Sequence, residues 1–466
     1  MAFTFTPLNQ SWIEPASEFV NSQFPEAVAT LGKLVKIPGI AWESFDSNSL
    51  DRSAAAVAAE LEALQMFDTV EIRRSAKPDG ELGAPAIVAR RAGASDAPHV
   101  LLYAHHDVQP PGARELWKTE PFEATLIGDR LFGRGASDDK SGIITHLYSL
   151  KTLKKLASSL RLGITVFIEG EEEAGSESFP NFLRENQADL EADLIIVADS
   201  GNWSEDVPAL TTSLRAMVSQ TFTIRTLDHA VHSGMYGGPL PDATGAMIKL
   251  LATLTDEQGN VAIAGLDSIP VDGPDLSDAE FGVAAGLLPG VKRLGTKSAT
   301  QQIWGEPAVT VIGMDIPQVD VSSNTAQPES RARISLRLAP SQDPDTGLEL
   351  LRQHISAHAP EGAVVEFGRS EKGPGYLAKN GWAAPMAHEA FGIAWQNPSV
   401  NIGIGGSIPF ISEFAEQFPN AEILVTGVEE PDSRAHSPNE SQHLPTLRRA
   451  ILAQALMLLN GNEMTR

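Results

Sequence analysis

Three apolar runs, residues 100–104, 162–168 and 194–197, constrain this chain more than any other feature. None alternates strictly with polar residues, so each reads as a strand covered on both faces, and helices on either side of a sheet supply that cover. The segments around them carry the helical period. Residues 141–157 put Ile144, Leu147 and Leu150 on one face. Residues 25–37 gather Val28, Leu31, Leu34 and Val35, with Pro25 in the first turn and Pro38 as the stop, and residues 53–66 gather Val57, Leu61 and Leu64. Further strands fall at 69–72 and 86–90, a hairpin turning on Gly128-Asp129 at 124–132, and a short helix at 179–185. Strands alternating with helices predict a helix-covered α/β layer.

The pattern changes after residue 212. Val218, Gln220, Phe222 and Ile224 alternate with polar neighbours, as do Ala332, Ile334, Leu336 and Leu338 with Arg331, Arg333, Ser335 and Arg337. With strands at 308–314 and 363–367 and helices at 241–254 and 346–357, the order β-α-β-β-α-β predicts a ferredoxin-like sheet with one solvated face. Residues 259–306, rich in Gly, Asp and Pro, take no assignment. From residue 382 the first pattern returns, with helices at 384–395, 410–418 and 445–459 and strands at 400–404 and 423–425. The chain therefore reads as an α/β domain, residues 1–212 and 382–466, interrupted by a smaller α+β domain at 213–381.

Thirty-five basic residues stand against 60 acidic ones, a formal charge of -25, which argues against nucleic acid and anionic membrane as partners. There are no cysteines. That removes disulfides, thiol nucleophiles and thiolate metal sites, and leaves His, Asp and Glu to hold any metal. The first residues carry neither a basic nor an apolar leader region, and no apolar run is long enough to span a bilayer, so the expectation is a cytoplasmic protein.

In open α/β sheets ligands gather at the carboxyl ends of strands. Four places put acids or histidines there: His105-His106-Asp107, the run from Gly133 to Gly142, Glu169 to Ser176 with four carboxylates in five positions, and Asp199. Each has a plain alternative. His105 and Asp107 form an ordinary hydrogen-bonded pair, Asp199 caps a turn, the four glutamates make a solvated acidic turn, and His436 is a surface histidine. The Gly-Arg-Gly run is a phosphate loop only if its paired Asp138 and Asp139 do not repel the phosphate.

Taken together and in order, these runs resemble the M20 family of zinc peptidases, most closely its cytosolic dipeptidase, carnosinase-like branch. The matching stretches are His105-His106-Asp107-Val108-Gln109-Pro110, Gly133 to Gly142, Glu169 to Ser176, Asp199 with Trp203, Val231-His232-Ser233-Gly234, Gly405-Gly406-Ser407-Ile408-Pro409 and Ala435-His436-Ser437. The resemblance implies two zinc ions bridged by Asp138, one also held by His105 and Asp199 and the other by Glu173 and His436; manganese or cobalt would suit the same ligands. It implies Glu172 as the general base, Asp107 as the residue that orients His105, and a cis peptide between Asp138 and Asp139. In the inserted domain, the lid and dimerisation domain of the family, His232 would complete the partner subunit's site in a homodimer. Arg337 would bind the substrate carboxylate, with Gly406, Ser407 and Asn324 as further substrate contacts.

The activity implied is hydrolysis of a dipeptide or similar small amide with a free carboxylate. Two positions depart from the family pattern: Ala230 stands where Asp is common, and Ile404 where dipeptidases of this branch carry Glu. The second departure makes an N-acyl-amino-acid or N-carbamoyl amidohydrolase the alternative. A dimeric metal-binding protein without catalysis is a third reading, and the presence of Glu172 beside Glu173 argues against it.

Overall fold

The computed structural model describes residues 3–379, 381–406 and 408–466. The chain divides into two compact units, one comprising Met1–Thr212, Ala378–Ile402 and Glu413–Arg466, the other Ser213–Leu377 and Gly403–Ser412.

The first unit is built on a mixed sheet whose strands run side by side in the order Thr69–Arg73, Ala86–Arg91, Gly163–Glu169, His99–His105, Leu194–Val197, Glu422–Val425 and Ala209–Leu214. The four from Gly163–Glu169 to Glu422–Val425 are mutually parallel, so their carboxyl ends open on one edge. The apolar runs are explained by their surroundings. On one face Val100, Leu102, Ala104, Ile164, Val166 and Ile168 join a core with Leu31, Val57, Ile144, Leu147, Leu447 and Ile451 from four helices. On the other, Tyr103 and Phe167 pack in edge and stacked contacts with Phe179 and Phe414. Both faces are therefore buried.

Helix Lys140–Leu156 packs against Ile13–Val35 and Leu444–Glu463. At its start the Lys140 amine donates to the carbonyls of Leu34 (2.9 Å) and Ile37 (2.7 Å), satisfying the end of the first helix. That first helix corrects the sequence reading. It runs through Pro25 rather than starting there, covering Ile13–Val35. A proline inside a helix costs about 3 kcal/mol. Ala16, Val20, Ala27 and Leu31 form one buried stripe across it, and burying large aliphatic side chains at about 1.5–3 kcal/mol each outweighs that cost.

The second unit carries a four-stranded antiparallel sheet in the order Ala308–Asp315, Glu329–Leu338, Ala216–Arg225, Val364–Gly373. With helices Ala243–Ala252 and Pro344–His358, this is the ferredoxin-like arrangement. Val218, Phe222, Ile334, Leu336, Leu338 and Leu351 fill its core. Residues 259–306, unassigned from sequence, contain two short helices, Asp278–Ala284 and Ala299–Trp304, and no strand of that sheet.

Candidate active site

The carboxyl ends of the parallel strands bring the chemistry together. His105 ends its strand opposite Glu169, and Asp199 lies just past Leu194–Val197. Asp138 precedes helix Lys140–Leu156, and its peptide bond to Asp139 is cis. His436 sits in the loop after Glu422–Val425.

Asp138 Oδ1 lies 3.1 Å from His105 Nε2, and its Oδ2 lies 3.0 Å from His436 Nε2. His436 Nε2 is also 3.1 Å from Glu173 Oε2, and His105 Nε2 is 3.8 Å from Asp199 Oδ1. The result is two donor groups, His105 with Asp138 and Asp199, and Asp138 with Glu173 and His436, in each of which the ligand atoms lie within 4.8 Å of one another. All five residues expected as ligands meet here, and Asp138 is shared.

The donor set suits divalent ions. Nitrogen and carboxylate oxygen are the ligands of zinc, manganese or cobalt where thiolate is absent. The electrostatics also ask for positive charge. Burial, with Asp138 and Glu173 nearby, pushes Asp199 up to about 7, and burial with Asp199 raises Glu172 and Asp139 well above the usual carboxylate range. His436 is pushed up to about 11 by Asp138 and Glu173. Burial works against a charge on His105, yet Asp107 and Asp138 hold its pKa well above the ordinary value. Acids crowded this way take up protons unless a cation is placed among them.

A ring of hydrogen bonds fixes these candidate ligands. Asp107 stands 3.3 Å from His105 Nδ1, and its two oxygens accept the backbone N–H groups of Glu172 (3.2 Å) and Glu173 (3.1 Å). One carboxylate thus orients the His105 ring and holds the turn Glu172–Ala174 in place. Gln109 donates to both oxygens of Glu173, from its backbone N–H and from Nε2. Glu440, which sequence reasoning passed over, accepts from Arg134, Gly135, Ser137 and Asp138 and so sets the loop that presents Asp138. A further group of acids, Glu205, Glu430 and Asp432, is already answered, because Arg130 pairs with Glu205 and Glu430.

In the second unit, His232 lies opposite Thr325 in a short antiparallel ladder, and Ser233 N–H donates to Asn324 O at 2.9 Å, so His232 and Asn324 are neighbours. Arg337 stands on the sheet face away from the helices, between Met217 and Ala308. Beside it is Arg215, unremarked in the sequence, which donates from Nε to Gly405 O at 3.0 Å. Burial and the Arg337 charge bring its pKa down to about 10. Arg215 thus ties the Gly405-Gly406 segment to the sheet that carries Arg337. Ser407 lies outside the described residues.

Residues 101–460 match the pattern of peptidase family M20/M25/M40. The chain belongs to that family. This M20 peptidase is 31% identical over 465 residues to the cysteinylglycine-S-conjugate dipeptidase of Corynebacterium striatum, spanning 98% of this chain and 97% of the relative. It is 25% identical over 370 residues to the Beta-Ala-His dipeptidase of Rattus norvegicus, 76% of this chain and 75% of the other. Human carnosine dipeptidase 1 shares the fold, with a TM-score of 0.75 at 21% identity over 98% of this chain and 100% of that one. Among the described residues of the peptidase, no helix is long and apolar enough to cross a membrane.

Proposed function

We propose that this M20 peptidase is a two-metal dipeptidase that hydrolyses the amide bond of a dipeptide or similar small peptide with a free carboxylate. The observation that carries the reading is Asp138, whose two oxygens face two different histidines, 3.1 Å and 3.0 Å away, as a bridging carboxylate must. His105 and Asp199 would complete one ion and Glu173 and His436 the other, with zinc, manganese or cobalt fitting the donors. A pair of such ions, when bound, lowers the pKa of a water and polarises a carbonyl.

The chain's own residues do the rest. Glu172 is the general base: its N–H is anchored by Asp107, and its Oε2 lies 4.0 Å from His105 Nε2, at the edge of the ligand set. It takes a proton from water and gives it to the leaving amine. Arg337 pairs with the substrate carboxylate through its guanidinium fork, and Asn324, Gly406 and Ser407 line the same substrate. His232 steadies the oxyanion in the partner subunit's site, so the working form is a homodimer. The dipeptidases of Corynebacterium striatum and Rattus norvegicus support the substrate class.

A second reading, an N-acyl-amino-acid or N-carbamoyl amidohydrolase, draws on Ile404, which offers no charge to a free amine. Glu172→Gln tests the mechanism common to both. Turnover is expected to fall by about 10²–10⁴-fold while the metal content per subunit, read by elemental analysis, stays at two. Survival of turnover in that variant would sink the base assignment.

A further inference from the structure

The two donor groups share Asp138 but are supported differently. In the first, the His105 side chain is fully buried, and its Nδ1 lies 3.1 Å from the Asp107 carbonyl oxygen and 3.3 Å from the Asp107 carboxylate. In the second, the His436 side chain is 59% exposed and stands on a loop at a φ of 60°. Among the described residues its ring pairs with Asp138 and Glu173 alone. Glu173, whose side chain is 2% exposed, is the firm member that this group does not share.

Gln109 holds Glu173 in place. Its backbone N–H donates to Glu173 Oε1 at 3.1 Å and its side-chain Nε2 donates to Oε2 at 2.6 Å. Oε2 is also the oxygen that faces His436 Nε2, at 3.1 Å. Gln109 follows His105, the last residue of its strand, by four positions, so one strand end supplies a donor to the first group and the support of the second. An ionised carboxylate offers about two acceptor directions on each oxygen. The Gln109 amide takes one of them on Oε2 and leaves one on the side of His436. Two bonds from one residue to the two oxygens also fix the plane of the carboxylate. Partners of this kind orient a ligand and tune the affinity of the metal position it serves.

We propose that Gln109 is a positioning residue that presents Glu173 as a one-oxygen ligand and sets the affinity of the Glu173–His436 position independently of the His105–Asp199 position. The inference rests on the two-metal reading above and adds to it a residue outside the ligand set.

The test titrates the full-length, metal-stripped protein with Co2+, followed by calorimetry and visible absorbance, with melting temperature as the control for folding. Gln109→Met keeps the side-chain length and removes the donor, whereas Gln109→Asn keeps the amide and draws it back. Wild type is expected to take up two ions per subunit in two steps. Gln109→Met should weaken one step by about 10- to 100-fold and leave the other where it was, with Gln109→Asn in between, and turnover of both variants should come to depend on added Co2+. His436→Ala should remove the same step, and joining Gln109→Met to it should not alter the surviving one. Two unchanged steps in Gln109→Met, or an equal weakening of both, would overturn the proposal and leave the two-metal reading standing. A wild type that binds a single Co2+ overturns both.

Discussion

With two oxygens Glu440 accepts hydrogen bonds from Arg134 Nη1 (2.6 Å) and from the N–H groups of Gly135 (3.0 Å), Ser137 (2.9 Å) and Asp138 (3.1 Å). Both side chains of the Arg134–Glu440 pair are buried. Removing the charge from one member leaves the other uncompensated, a change that costs about 3–5 kcal/mol. Glu440→Gln is therefore expected to lower the urea midpoint by that equivalent, whereas Glu205→Gln, on a pair exposed at the carboxylate, should barely move it. The residues at this scale were legible in the sequence to different degrees. His105, Asp138, Glu173, Asp199 and His436 were singled out by the order of the motifs that carry them and by the resemblance those motifs make, and the structure brings the five together. Glu440 and Arg215 were not, because their meaning lies in partners far along the chain: Arg134 for Glu440 and Gly405 for Arg215.

Helix Lys140–Leu156 is buried along most of its length and carries His146 into the core. Neutral His146 donates from Nε2 to Tyr103 O (2.9 Å) and accepts at Nδ1 from Gln454 Nε2 (2.9 Å). Burial lowers its pKa to about 4, from an ordinary 6.5. Since the folded pKa is the lower one, the unfolded chain takes up a proton first as pH falls through about 6.5. Stability is thus level above that pH and declines toward pH 4, by up to about 3 kcal/mol from this one ring. Urea midpoints measured between pH 7 and 4.5 should trace the decline, and His146→Gln should make it shallower. His99, lowered to about 4 by burial and by Arg90, adds to the same slope. Most elements were legible because their periodicity is strong, and the ferredoxin-like order followed from it. The first helix was cut short at Pro25 because local propensity says nothing of the stripe Ala16, Val20, Ala27 and Leu31 that tertiary packing rewards. The strand Ala209–Leu214 escaped notice for a similar reason: its Thr-Thr-Ser centre looks like a loop until Val425 pairs with Thr211.

At the scale of the whole molecule the proposal of a shared site makes a prediction that no single-subunit enzyme would satisfy. His232→Ala and Glu172→Gln homodimers should each be inactive. Mixed and allowed to exchange, they form heterodimers in which one site has both an intact Glu172 and the His232 of the other subunit. Activity should return to about a quarter of wild type, since half the dimers are mixed and half the sites in each are whole. No recovery after verified subunit exchange would remove His232 from the partner's site. The α/β architecture and the family were legible in the chain at this scale, because each short motif, weak alone, falls in a fixed order. Residues 259–306 were not, since their capping box at Ser277 and Glu280 defines a helix but no periodic face.

The ligand set has one further consequence. Its members are spread from His105 to His436, and the closing helix Leu444–Glu463 supplies Leu447, Ile451 and Leu456 to the same core that supports them. A chain cut before His436 therefore keeps only part of the candidate ligand set and loses the helix that packs on the core beside it.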